Sequence, residues 1–156
     1  VEHPTSPFID ALTSPTHWFM AVVTALLVGI CVVIHYQCLQ VGWRFLVGQS
    51  LARHGHRRMV VIILGLLGAH VIEIWIFGAG YSLLLELDGT GKLVGLPLQG
   101  LLDHVYFSAV TYTTLGFGDI TPQGPIRLLV GTEAITGLAL VTWSASLTFL
   151  AMQRNW

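Results

Sequence analysis

Apolar residues fill three long stretches of this chain, and charged residues are almost absent from them. Ala11 to Trp43 contains no Asp, Glu, Lys or Arg, Met59 to Leu85 contains only Glu73, and Leu128 to Gln153 contains only Glu133. About 20 helical residues cross a hydrocarbon core roughly 30 Å thick, so each stretch predicts a membrane-spanning helix. The first runs from about His17 to Leu39, with Trp18, Phe19 and Trp43 as aromatic anchors at its two ends. The second covers 59–87 and is long enough to tilt or to project from the bilayer. The last covers 125–153. A further apolar stretch starts at Leu101 but reaches only Leu115 before Gly116-Phe117-Gly118-Asp119 interrupts it. At about 14 residues it is too short to cross, which predicts a re-entrant helix. The expected class is an all-α membrane protein with three transmembrane helices and one re-entrant element.

Composition agrees and narrows the function classes. Of 156 residues, 54% are hydrophobic and 10% are charged, against about 25% charged in soluble domains. A water-soluble enzyme and a disordered chain are excluded. A net charge of −1 leaves no basic surface for nucleic acid. The charges that exist set the topology. Arg44, Arg53, Arg57 and Arg58 place four of the seven basic residues between the first two spans, which puts that linker in the cytoplasm. The tail 1–16 has acids but no Lys or Arg, and falls outside; Pro4, Pro7 and Pro15 argue against a long helix there. Three crossings then bring the C-terminus to the cytoplasmic side of the cell's plasma (inner) membrane.

Several alternatives lose ground. The first span lacks the basic start and short apolar core of a cleavable signal peptide. No internal repeat supports an inverted-repeat transporter, and no span carries Arg or Lys at every third position, as a voltage-sensing helix would. Cys31 and Cys38 lie seven residues apart on one helix, about 10 Å along its axis. That is too far for a disulfide, so packing is their expected role.

The chemistry concentrates in Leu101 to Pro122, LLDHVYFSAVTYTTLGFGDITP. Non-helical backbone at membrane depth survives only where it is buried in protein or lines a water-filled path. Gly116 and Gly118, at alternate positions, open torsions closed to other residues, so that successive carbonyls can face one side. Four copies around an axis would stack rings of carbonyl oxygens able to replace the hydration shell of a cation. One copy cannot, so the motif calls for a homotetramer.

The string Thr114-Leu115-Gly116-Phe117-Gly118-Asp119 resembles the Thr-Val-Gly-Tyr-Gly-Asp filter of the potassium-channel pore-loop family. The resemblance covers about Leu101 to Met152, and the second span loosely matches the family's outer helix. It implies a pore domain over 59–156, with outer helix 59–87, pore helix 101–113, filter 114–119 and inner helix 125–153; residues 17–58 form an extra span and linker. By this resemblance Thr114 supplies a carbonyl and a hydroxyl to the innermost potassium site. Leu115, Gly116 and Phe117 supply carbonyls further out, Gly118 sits at the mouth, and Asp119 holds the outer end and gathers cations. The helix end near Thr113 would aim its partial negative charge at a central cavity. Leu115 and Phe117 stand where Val and Tyr are commonest. Phe117 lacks a hydroxyl with which to brace the filter, so a filter prone to inactivation is expected.

On the last span, Gly137 falls about where the family has a hinge glycine; close helix packing is the other reading. Leu138, Val141, Thr142 and Ala145 recur at helical spacing as candidates for the cavity lining. Ionisable groups within spans are costly and are functional candidates. Glu133 is expected behind the filter, bonded to the pore helix around Tyr112 or Thr113, either tuning the filter or as a structural hydrogen bond. His70 and Glu73 share a helical face, with three readings open: structural hydrogen bonding, proton sensing, or two ligands of a metal site. His35 is expected to make a polar contact from the first span. His54 and His56 belong with the basic linker, against lipid phosphates or solvent.

The sequence thus predicts a pore-forming, potassium-selective homotetramer in the lipid bilayer. It is not expected to be an enzyme, and needs no cofactor beyond the potassium ions it conducts. A non-selective cation channel and a non-conducting regulatory subunit are the competing readings. With no voltage sensor or nucleotide-binding domain expected, control would come from pH, lipid, tension, an ion at the filter or a regulatory protein.

Overall fold

The computed structural model describes residues 14–47, 55–95 and 100–155. Helices α1 (Pro15–Val47), α2 (Gly55–Leu84), α3 (Leu101–Tyr112) and α4 (Arg127–Asn155) carry most of them. Pro15 occupies the first position of α1, where its missing N–H costs nothing and its fixed φ suits a helix. The helix runs on to Val47, through residues expected to belong to the linker, because the sequence from Leu39 to Val47 contains no proline and stays largely apolar. The segments Pro15–Phe45, Arg57–Leu84 and Arg127–Gln153 are long and apolar enough to cross a membrane. At 12 residues, α3 is about 18 Å long and falls short of that span.

The chain is mostly helical, as expected of an all-α membrane protein, and adds one short ribbon that was not expected. The glycine-rich segment after α2 contains strand β1 (Lys92–Gly95), which pairs antiparallel with β2 (Ile120–Gln123) in the register Lys92↔Gln123 to Gly95↔Ile120. Four-residue strands with a partner so distant in sequence carry no visible alternation of their own. Gly91 makes the ribbon's entry possible. Its φ is +118°, and a Cβ there would lie 2.3 Å from the Gln123 carbonyl oxygen. Thr90 ties the ribbon to two helices. Its hydroxyl lies 2.6 Å from Leu84 O and 2.9 Å from Leu87 O, at the open end of α2, and its carbonyl accepts Ile126 N at 2.8 Å, just before α4.

The main core gathers Met20 and Cys31 from α1, Phe77 and Tyr81 from α2, Phe107 and Tyr112 from α3, and Leu129 and Leu140 from α4. Tyr81 meets Phe107 edge-on, with ring centroids 5.1 Å apart. A second cluster, Leu39, Ile62, Leu66, Leu147 and Ala151, joins α1, α2 and α4 away from α3. Close approach of α2 to α3 depends on Gly78, where a Cβ would lie 2.8 Å from the Val105 Cα. Outward, large apolar side chains such as Leu26, Val33, Leu64 and Phe149 stay exposed on the long helices. Hydrocarbon solvates such a surface, and water does not.

Candidate functional site

After Tyr112 the chain leaves the helix through Thr113, whose N–H still bonds Ala109 O at 3.1 Å. Thr114 N donates to Thr111 O at 2.9 Å, and Leu115 N and Gly116 N both turn back to Val110 O, at 3.0 and 3.3 Å. The backbone then alternates. Thr114, Gly116 and Gly118 have φ of +57°, +57° and +79°, while Leu115 and Phe117 between them do not enter the left-handed region. For β-branched Thr114 this region is strained. Residues 113–118 are all exposed, Leu115 at 58% and Phe117 at 63%.

Asp119 closes the segment. Its Oδ2 accepts the Tyr106 phenol at 2.7 Å, and its Oδ1 accepts Ile120 N at 3.1 Å, where β2 begins. The hydrogen bond to Asp119, the first cause, and the carboxylate's charge raise the Tyr106 phenol above its usual value. The phenol therefore remains the donor. Gly95, at the end of β1, packs on the Asp119 backbone, where an added Cβ would lie 2.0 Å from the carbonyl oxygen.

Behind α3 lie two buried carboxyl groups, Glu133 and Glu73. Glu133 accepts from Tyr81 of α2 and contacts Ser108 of α3 at 2.5 Å. It thus reaches α3 at Ser108, about a turn earlier than the Tyr112–Thr113 region where it was expected. Ser108 Oγ also lies 2.9 Å from Ile74 O. One hydroxyl proton cannot serve both acceptors, so both contacts are complete when the Glu133 carboxyl carries a proton and donates to Ser108.

Glu73 belongs to a larger network. His35 Nδ1 lies 2.9 Å from its Oε1, His70 Nδ1 lies 3.3 Å from its Oε2, and Tyr112 donates to that same oxygen. His70 Nδ1 is also 2.9 Å from the Tyr112 hydroxyl. Ser144 Oγ then sits between the two imidazoles, 3.1 Å from His70 Nε2 and 3.2 Å from His35 Nε2. Five side chains from all four helices close a ring. Among the described residues, His35, His70 and Glu73 form a group able to hold a metal ion, with ligand atoms within 4.8 Å of one another.

The expected pair His70–Glu73 is therefore brought together, but it is part of this ring. Sequence reading missed the roles of Tyr81, Tyr106, Ser108 and Ser144. No sequence signal singled out Ser108 or Ser144, because each lies among other hydroxyl residues such as Thr111, Thr142 and Ser146. Gly137 packs face-on to the Tyr112 carbonyl, which favours its packing reading over the hinge. Leu138, Val141, Thr142 and Ala145 are exposed along α4. Val141 and Ala145, with Thr113, His70, Tyr112 and Ser144, line a cavity of about 580 Å³. His54 and the side chain of His56 lie outside the described residues.

A family model described as an ion channel matches residues 69–154, more than half of the chain. The chain belongs to the ion channel family. No curated protein and no solved structure matches it. The matched part of this ion channel runs from Ala69 in α2 to the end of α4, and includes the alternating segment, both buried carboxyl groups and Gly137. Membership and three apolar helices make it an integral membrane protein. Helix α1, with His35, lies outside the match. That helix is nevertheless bonded, through His35, to the Glu73 carboxyl group within the matched region.

Proposed function

We propose that this ion channel conducts potassium selectively, as a ring of four identical chains. The observation that carries the reading is the left-handed backbone at Thr114, Gly116 and Gly118 within Thr-Leu-Gly-Phe-Gly. Reversing the sign of φ at every second residue turns successive peptide planes so that their carbonyls face one side. Four such columns make stacked oxygen rings that substitute for the water around a potassium ion. Thr114, Leu115, Gly116 and Phe117 would bind the ions, with Gly118 and Asp119 at the outer mouth. The exposure of residues 113–118 on a single chain supports a column that completes its surroundings with neighbouring copies. Below it, the exposed Leu138, Val141, Thr142 and Ala145 of α4 would face the cavity, toward which α3 directs the negative end of its dipole. The arginine-rich linker faces the cytoplasm, and the N-terminus lies outside.

Reversal potentials of the purified protein in planar bilayers, under opposing potassium and sodium gradients, test this. A reversal close to the potassium equilibrium potential is expected. A reversal near zero identifies a non-selective cation channel, and a silent, folded protein identifies a non-conducting subunit. Chemical cross-linking that saturates at four chains is expected alongside.

A further inference from the structure

We propose that the ring of His35, His70, Glu73, Tyr112 and Ser144 is a binding site for a divalent cation of the zinc type. His35 Nδ1, His70 Nδ1 and the Glu73 carboxylate are its ligands. The proposal concerns a site behind α3 and does not rest on which ion the channel conducts.

The donor set comes first. Two imidazoles and a carboxylate are the three-ligand set that zinc-like ions accept, at bond lengths of about 2.0–2.2 Å. A tetrahedral ion with such bonds separates its ligand atoms by about 3.3 Å. Here the carboxylate oxygens lie 2.9 Å from His35 Nδ1 and 3.3 Å from His70 Nδ1, and all three ligand groups fall within 4.8 Å. Both nitrogen–oxygen edges thus already stand within about half an ångström of the coordination distance.

Proton counting supplies the second argument. Tyr112 spends its proton on Glu73, so the contacts of both Nδ1 atoms need protons from the imidazoles or from the carboxyl group. Ser144 has one proton for two Nε2 atoms. All contacts close only when the ring holds one proton beyond an ionised carboxylate and two neutral imidazoles. A metal ion resolves the same arrangement without that proton. Imidazoles bound through Nδ1 carry their hydrogens on Nε2, and the two lone pairs of Ser144 Oγ accept both. Ligating histidines characteristically donate their second N–H to such an outer partner, which fixes tautomer and ring orientation. A divalent ion therefore enters as one proton leaves.

Access and burial complete the case. His35 and Glu73 are fully buried, but His70 is 13% exposed and stands with Tyr112 and Ser144 in the wall of the 580 Å³ cavity. An ion arriving through the cavity meets His70 first. Once bound it joins α1 to α2 directly, and α3 and α4 through Tyr112 and Ser144.

The test uses the full chain in detergent, treated with chelator and then titrated with Co²⁺ as an optical probe. Expected are one Co²⁺ per chain with intense visible d–d absorption, about one proton released per ion in weak buffer, and bleaching of the bands by Zn²⁺. Ser144→Ala should weaken binding about 10–100-fold while keeping the cobalt spectrum. His35→Gln and Glu73→Gln should each abolish it. A wild-type chain that retains neither Co²⁺ nor Zn²⁺ overturns the proposal, and so does binding that survives both of those substitutions. The wild-type titration decides even where a variant fails to fold, because intense d–d bands report a near-tetrahedral protein site, which a loosely held, hydrated ion does not give.

Discussion

Gly137 of α4 lies directly against the backbone of Tyr112, so that a Cβ would stand 2.1 Å from the carbonyl oxygen and 2.8 Å from the carbonyl carbon. Backbone cannot yield as a flexible side chain can. Gly137→Ala is therefore expected to force the helices apart, at a cost of about 1–3 kcal/mol. Gly29→Ala, with nothing within 4 Å of the added carbon, is expected to be tolerated. Thermal unfolding of both variants in detergent makes the comparison; equal midpoints would show that α4 is not seated on α3 as described.

Glu133 offers a test of hydrogen-bond accounting. Glu133→Gln keeps an acceptor for Tyr81 and presents an N–H to Ser108, whose proton is then free for the Ile74 carbonyl. Stability within about 1 kcal/mol of the parent is expected. Glu133→Ala strands the Tyr81 hydroxyl in the interior and leaves Ser108 only its Ile74 contact, at about 1–3 kcal/mol for the group left unpaired. A glutamine variant as unstable as the alanine one would mean that the carboxyl group is ionised.

Gly116 and Gly118 separate torsion from packing, since an added Cβ meets nothing within 4 Å at either position. Within the chain, the effect of Gly118→Ala comes from its φ of +79°, a conformation costing about 1–2 kcal/mol for a residue with a Cβ. Under the proposed potassium-pore reading, the variant should remain folded and membrane-inserted yet lose conductance or selectivity. Single-channel recording alongside circular dichroism checks this.

The Tyr106–Asp119 bond gives a pH expectation. The phenol's proton is held above its usual value of 10.0, so the bond's contribution is complete below that value. It is lost as pH rises through the higher, folded one. Tyr106→Phe removes the bond at every pH. Under the same reading, currents through the variant should decay faster at neutral pH, and should no longer change in the alkaline range where the parent's do.

The three long helices were legible because each is a run of apolar residues broken by at most one charge. The turn at Gly116 and Gly118 was legible because alternate glycines in an apolar setting have few other uses. The ribbon was not. Val94 pairs with Thr121 across a 27-residue separation, in strands too short to alternate visibly. Nor was the polar ring, whose members at 35, 70, 73, 112 and 144 come from four helices with no shared spacing beyond His70 and Glu73. Sequence placed His35 in a polar contact but could not choose its partner, because helix packing alone decides which faces meet. Glu133 was assigned to the right helix pair but to the wrong turn, since the choice between Ser108 and Tyr112 depends on how far α4 is shifted along α3.

Tyr112 is fastened at both ends of its own structure. Its hydroxyl is held by Glu73 and His70 of α2, its carbonyl is pressed on Gly137 of α4, and the chain leaves α3 at the next residue. Any rotation of α4 either breaks the carbonyl seat or drags Tyr112, and the displacement reaches Thr114 within two residues. A lever arm this short joins α4 to the strained turn through a single residue.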